Sequence, residues 1–368
     1  MKRIWVQCIK ELRQFWRDRL TVALAFLLPL ATLLIYGFGI RLETNTIPIA
    51  IQDFDNSPVS RTYISRLYAT NRFQPVEWSI NQPASEAVDR GLASAAIVIP
   101  PDFSRRILER KPTAVQVLVD GTDVANARVI DNSIQAATQF FLGIEGLQPR
   151  IERVVAQVRI WFNPGREEAL FIVPGVYAVV LSVFPAILSA VAMVREKEEG
   201  TIVQAYASDL TAFELLLGKS LAYLGVAIGE AIFVMGIGSI LWGLTFVGDP
   251  TPLLVGTPIF LMNGVLFGIF IGVRTSDQSS AVQAVQSVKV LLAILLSGFI
   301  YPISNIPFPV SLVSYLVPSR YYIELTRDAF VRGTGWAGVW FAFPMLILLG
   351  CLFFVAAWYG MRRMQLLE

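Results

Sequence analysis

The chain has 368 residues, 55% of them hydrophobic and only 16% charged, with a mean hydropathy of +0.58. About a quarter of a soluble domain is charged, so this composition belongs to a polytopic membrane protein. A net charge of +2 gives no argument for nucleic acid, and the absence of histidine removes His-activated nucleophiles, His-ligated metals and the usual proton shuttle.

Residues 1–19 read as a cytoplasmic amphipathic helix at the membrane interface. Trp5, Cys8, Ile9, Leu12, Phe15 and Trp16 recur at helical spacing, while Lys2, Arg3, Lys10, Arg13, Arg17 and Arg19 lie mostly elsewhere. Those basic residues predict a cytoplasmic N-terminus. The first span, 20–40, contains Pro29. It is longer than the roughly 7–15 residues of a signal-peptide core and no A-x-A-like site follows, so it reads as an uncleaved span.

Residues 41–167 change character: charges return, and short apolar runs alternate with polar helical patterns. Strands are expected at Ile47–Ile51, Phe73–Trp78, Ala95–Ile99 and Ala114–Val119. Helices are expected near 58–70, 85–91 and 101–111, and from Asp123 past Phe141, with Ser57 as N-cap and Pro58 in the first helical position. This alternation predicts an α/β domain with a small sheet, leaving strand order open. Asn163-Pro164-Gly165 marks a turn before the next span.

The remaining expected spans are 168–194, 213–246, 253–273, 281–300 and 336–361, with a re-entrant or helical extracytoplasmic segment at 301–335 and a cytoplasmic tail at 362–368. The fold class is therefore a polytopic α-helical membrane protein, six transmembrane helices with an inserted extracytoplasmic α/β domain. Basic residues in short loops support that topology at Arg195, Lys197, Lys219, Arg274, Lys289, Arg362 and Arg363. Arg320, Arg327 and Arg332, in a segment placed outside, run against it. Cys8 and Cys351 fall in the cytoplasm and in a late span, so no disulfide between them is expected. Lys289, near a span end, is expected to snorkel to the interface.

Three features carry chemistry. The first is the run Arg195-Glu196-Lys197-Glu198-Glu199-Gly200-Thr201, continuing through Ser208-Asp209-Leu210 to Gly218-Lys219. As a topological signal it needs only its basic residues; Glu196, Glu198 and Glu199 favour a docking element. Ile202, Val203 and Tyr206 could supply its apolar contact, and Gly200 permits a tight bend. The second is Gly218-Lys219-Ser220, which looks like the end of a phosphate-binding loop. The glycine such a loop needs five residues earlier is Phe213 here, and the segment enters a span, so ATP is not bound by this chain. The third is Glu230, mid-span, which reads equally as a contact on a translocation path or as an interhelical hydrogen-bonding group. Asp53, Asp55, Asp102, Asp120 and Asp123 read as turn and helix-start residues rather than a metal or catalytic cluster.

These motifs resemble those of ABC type-2 transporter permeases, in the subgroup with a large extracytoplasmic domain between the first two spans. The matching segments are the 195–201 run, Ser208-Asp209-Leu210, Gly218-Lys219, Ser297-Gly298-Phe299-Ile300-Tyr301-Pro302-Ile303, and Asn305, Pro307, Pro318 and Arg320-Tyr321-Tyr322. In the α/β domain they are Asp53 to Ser60, Ile99-Pro100-Pro101-Asp102-Phe103-Ser104 and Val119-Asp120-Gly121-Thr122. Asp209 stands where the family usually has proline. The resemblance covers essentially the whole chain. It implies a non-catalytic permease subunit of an exporter in the bacterial cytoplasmic membrane, with 195–212 as the coupling helix and spans 2 and 5 at a dimer interface. The implied partners are a cytoplasmic ABC ATPase carrying ATP and Mg, a second permease (homodimer or paralogous heterodimer) and membrane lipid, with a periplasmic adaptor as a further one. No cofactor and no metal is expected on this chain. The cargo, whether drug, lipid or other small molecule, is left open. The alternatives are a membrane-anchored receptor or assembly scaffold whose external domain binds a ligand, and, third, a membrane enzyme.

Overall fold

The computed structural model describes residues 1–39, 47–109, 111–120, 124–144, 168–202, 210–300, 303 and 306–367. Asp123, the turn at Asn163-Pro164-Gly165, and Val203, Tyr206, Ser208, Asp209, Tyr301, Pro302 and Asn305 lie outside them. The chain forms two compact units, residues 41–158 and residues 1–40 with 159–368.

In the first unit, strands β1 (Ile47–Asp53), β2 (Phe73–Val76), β3 (Ala95–Ile99) and β4 (Gln116–Val119) form one sheet in the order β2-β1-β3-β4. The first three are parallel and β4 is antiparallel to β3. Alternation along β1 and β3 sends Ile47, Ile49, Ile97 and Ile99 to a face covered by Tyr63, Phe103 and Phe141. Ala50 and Ala96 point the other way, where Ala84 and Ala87 pack on them. The helix Pro58–Tyr68 starts with a reciprocal cap: Ser57 accepts from the Ser60 amide, and Ser60 Oγ accepts from the Ser57 amide. Asp53 belongs to the same turn, accepting from the amides of Asp55 and Asn56 at 3.0 Å and from Ser60 Oγ at 2.6 Å. Asp55 accepts from the amide and hydroxyl of Ser104, and Asp102 pairs with Arg106.

The second unit begins with Lys2–Arg17 and Arg19–Gly39, here H1 and H2. H3 (Glu168–Glu198), H4 (Ala212–Trp242), H5 (Thr251–Arg274), H6 (Gln278–Leu295) and H7 (Ala342–Leu367) follow. Five of these, H2, H3, H4, H5 and H7, are long and apolar enough to cross a membrane. H6, on the fifth expected span, is an 18-residue helix carrying Gln283, Gln286 and Lys289, and is not among those five. H3 is the centre of the unit: 78% of its apolar window is buried, against 17% for H2.

H5 packs on H3 through Gly264, Gly268 and Gly272, four residues apart on one face. A Cβ on Gly268 would fall 2.1 Å from the Ala186 carbonyl, and one on Gly272 would fall 2.7 Å from that of Ala190. Small residues at this spacing let membrane helices approach backbone to backbone. Ser189 Oγ seals the contact by donating to the Val265 carbonyl at 3.0 Å.

Several boundaries differ from the sequence expectation. H3 runs past Val194 to Glu198, so Arg195–Glu198 form its last turn rather than the head of a separate helix. The sixth expected span is broken between a single turn at Trp336–Val339 and H7. Pro344 accounts for the break, since its ring would clash with the carbonyl four residues back in a continuous helix. Lys289 does not snorkel: it is 5% exposed, with its ammonium 4.6 Å from the Phe267 ring centroid and 5.7 Å from that of Phe353. The arginines that ran against the topology count hold local structure. Arg327 donates to the carbonyls of Gly298 and Phe299 at 3.1 Å, Arg332 pairs with Glu324, and Arg320 stacks on Tyr315. Both cysteines are free, Cys8 buried and Cys351 exposed.

Candidate functional site

The charged run sits where the ends of several helices meet. The last turn of H3 alternates basic and acidic residues, Arg195-Glu196-Lys197-Glu198. Gly200, at φ +67, provides the left-handed residue that stops it. The Glu199 amide donates to the Arg195 carbonyl at 2.9 Å and the Gly200 amide to that of Lys197 at 3.1 Å.

Each of the four residues before Glu199 is tied to a different element. Arg195 reaches the junction of H1 and H2, with Nη1 3.0 Å from Asp18 Oδ2. Glu196 is buried between H1 and H4: one oxygen lies 2.8 Å from Lys10 Nζ and the other 2.9 Å from Lys219 Nζ. Lys197 Nζ donates to the carbonyls of Val273 and Thr275 at the end of H5. Glu198 accepts from the Gln278 amide at 3.2 Å and from its side chain, at the start of H6. One turn of H3 therefore holds the ends of five other helices.

Lys219 is the residue whose role the sequence hid. Its side chain is 1% exposed, and the ammonium bridges two buried carboxylates, Glu11 Oε1 and Glu196 Oε2, at 2.9 Å each. Gln7 Nε2 gives Glu11 a further hydrogen bond at 2.7 Å. Burial pushes the Glu11 carboxyl above the usual carboxylate range, and the Lys219 cation opposes that push. Asp18 shifts the other way. Hydrogen bonds from the Thr21 hydroxyl and amide, with Arg195 beside them, hold it below its ordinary value.

Gly218 explains the rest of the phosphate-loop look-alike. A Cβ there would lie 2.7 Å from the Gln7 side chain and 3.1 Å from the Ile4 carbonyl, so glycine lets H1 lie directly on H4. H1 turns Gln7, Cys8, Glu11 and Phe15 inward, while Trp5 and Trp16 are exposed. The apolar periodicity of H1 had suggested a face; the buried one is instead partly polar, and Gln7 to Glu11, four apart, was its signal.

The sequence-predicted residues thus divide. Arg195, Glu196, Lys197 and Glu198 are engaged within the chain. Glu199 and Gly200 are exposed, and Thr201 is half-buried with Oγ1 donating to the Glu196 carbonyl at 3.3 Å. Ile202, offered as an outward apolar contact, packs inward at 3% exposure with Phe15, Met193 and Leu216. Glu230 lies apart from this junction, fully buried on H4, with both carboxylate oxygens unpartnered among the described residues. Among the described residues, no group of three or more His, Cys, Asp and Glu side chains could hold a metal ion.

Membrane-capable helices, an α/β unit and a charged junction of helix ends fit a polytopic membrane protein. The model of the ABC-2 family transporter protein matches residues 19–359, and the chain belongs to that family. It is 27% identical to the probable multidrug ABC transporter permease YbhS of Escherichia coli over 372 residues, 97% of this chain and 93% of that protein. It is likewise 27% identical to the E. coli probable multidrug ABC transporter permease YbhR, covering 94% of this chain and 95% of that one. The E. coli inner membrane transport permease YhhJ is 27% identical, with 96% of each chain covered.

Proposed function

We propose that this chain is the membrane subunit of an exporter driven by ATP hydrolysis on a separate cytoplasmic ATPase. The observation that carries the reading is the junction at the end of H3. A push on Glu199-Gly200-Thr201 acts on a turn already bonded to H1, H2, H4, H5 and H6, so local movement becomes movement of the bundle. Family membership supports transport as the activity, and the likeness to the probable multidrug permeases YbhS and YbhR supports a small molecule as its cargo. In this reading the six expected spans cross a bacterial inner membrane with both termini in the cytoplasm, H6 being the fifth. The residue 41–158 unit is extracytoplasmic. The chain pairs with a second permease, and ATP and Mg belong to the ATPase.

The roles within the run are divided. Arg195, Glu196, Lys197 and Glu198 transmit, while Glu199, Gly200 and Thr201 receive the ATPase. Glu230 is assigned to the translocation path as a group that the outward-opening movement uncovers. Glu230→Gln tests that assignment: unchanged cargo range and pH dependence of transport would remove Glu230 from the path. The test of the whole reading is co-purification. The full chain from native membranes brings down a P-loop ATPase, and a chain that purifies alone and signals on binding an external ligand would favour the receptor instead.

A further inference from the structure

Between H4, H5 and H7 lies a groove of about 530 Å³. Its walls are almost wholly apolar, with Leu224, Met262, Leu266, Leu346 and Phe354 among them. Its mouth is on the outer surface of the bundle, where Ile347, Cys351 and Val355 are exposed.

One polar side chain lines it. Asn263 is 1% exposed, and its Nδ2 donates to the Ile259 carbonyl at 2.8 Å and the Leu346 carbonyl at 3.0 Å. Carbonyls only accept, so these two bonds fix which end of the carboxamide is nitrogen. Oδ1 is then a buried acceptor with no donor among the described residues. Such a group is costly to leave unsatisfied, the more so where no water is at hand. Gly350 lies over this amide: a Cβ there would stand 3.4 Å from Nδ2 and 3.6 Å from Oδ1. Gly350 lines the groove beside Asn263 and places no side chain over the carboxamide.

We propose that the groove binds a small amphiphile dissolved in the membrane, with an apolar body and one neutral hydroxyl that donates to Asn263 Oδ1. The volume suits a drug-sized molecule rather than a helix. A lipid acyl chain fills apolar space but has no donor for the recessed oxygen. The site is independent of the charged junction and needs nothing from an ATPase.

The test uses the full chain in lipid nanodiscs and two photoreactive probes, a diazirine-bearing alkylphenol and its methyl ether. The ether keeps the shape and loses the donor. The phenol labels peptides containing 258–266 and 346–355, with an apparent affinity about 3- to 10-fold above that of the ether, the range of one buried neutral hydrogen bond. Asn263→Leu removes that preference. Ile347→Trp fills the groove from its rim without touching Asn263, and brings labelling by both probes to background. Equal labelling by phenol and ether in the wild-type chain overturns the proposal. So does labelling unaffected by Ile347→Trp, or labelling absent because a second copy of the chain covers the groove.

Discussion

Lys219→Met removes the one cation that touches both buried carboxylates of the junction. Among the described residues, Glu196 keeps Lys10, whose side chain is 44% exposed, and Glu11 keeps only the neutral Gln7 amide. Removing one partner of a buried ion pair costs about 3–5 kcal/mol, because the charge left behind is neither solvated nor paired. The same range applies here, since the Lys219 side chain is 1% exposed and those of Glu11 and Glu196 are 3% and 2%. Glu11→Gln in the same chain recovers a large part of the loss, because it removes the stranded charge; a double-mutant cycle isolates that coupling. The sign of the pH effect follows. Burial raises the Glu11 carboxyl, and Lys219→Met removes the cation that opposes it. A carboxyl raised in the folded state contributes stability that is fully present below its unfolded value of about 4.3 and is lost as pH rises through the folded value. The Lys219→Met chain therefore regains stability on acidification, and the Glu11→Gln, Lys219→Met chain does not. Equilibrium unfolding in mixed micelles, followed by tryptophan fluorescence across pH, measures all three. A Lys219→Met cost below about 0.5 kcal/mol, typical of an exposed pair, would refute the reasoning.

Gly268→Ala places a methyl 2.1 Å from the Ala186 carbonyl and is expected to cost about 1–3 kcal/mol by overpacking. Gly236→Ala, with nothing within 4 Å, is neutral or slightly stabilising in the same unfolding assay. Asp18→Ala loses the cap on Thr21 as well as the Arg195 partner and costs about 1 kcal/mol, whereas Asp18→Asn keeps the cap and costs less. Because the Asp18 carboxyl is held low in the folded chain, its contribution is present above the unfolded value of about 3.9 and is lost as pH falls through the folded value. The Asp18→Asn chain lacks that acid-side loss, which a pH series of unfolding curves reads directly.

Local chemistry made much of the α/β unit legible. Ser57-Pro58 predicts a capped helix start, the alternation of Ile47, Ile49 and Ile51 predicts a strand, and both are where those signals put them. The spans were legible as apolar runs, but their interruptions were not. Pro344 breaks the last run near its beginning, and the polar content of H6 sets it apart from the other helices. The charged run was legible as a break between two apolar helices. Its internal bonding was not, because Lys10, Glu11, Asp18 and Lys219 are brought to it by packing across up to 186 residues of sequence separation. Gly218-Lys219 shows the limit most clearly. Two residues that mimic a nucleotide site serve as a helix contact and an ion bridge, and only the tertiary neighbours Gln7, Glu11 and Glu196 tell them apart.

In the proposed function, this chain receives work from another polypeptide at Glu199-Gly200-Thr201. The most direct measurement of this is ATP turnover by the co-purified ATPase, reconstituted with either the wild-type chain or one carrying Glu199→Ala, Gly200→Asn and Thr201→Ala. Glu199 and Gly200 are exposed, a Cβ at Gly200 meets nothing within 4 Å, and asparagine tolerates the φ of +67 there, so the substitutions spare the bundle. The account predicts that the altered chain inserts and folds as before but supports markedly lower turnover and cargo movement. Turnover and transport equal to wild type would contradict it.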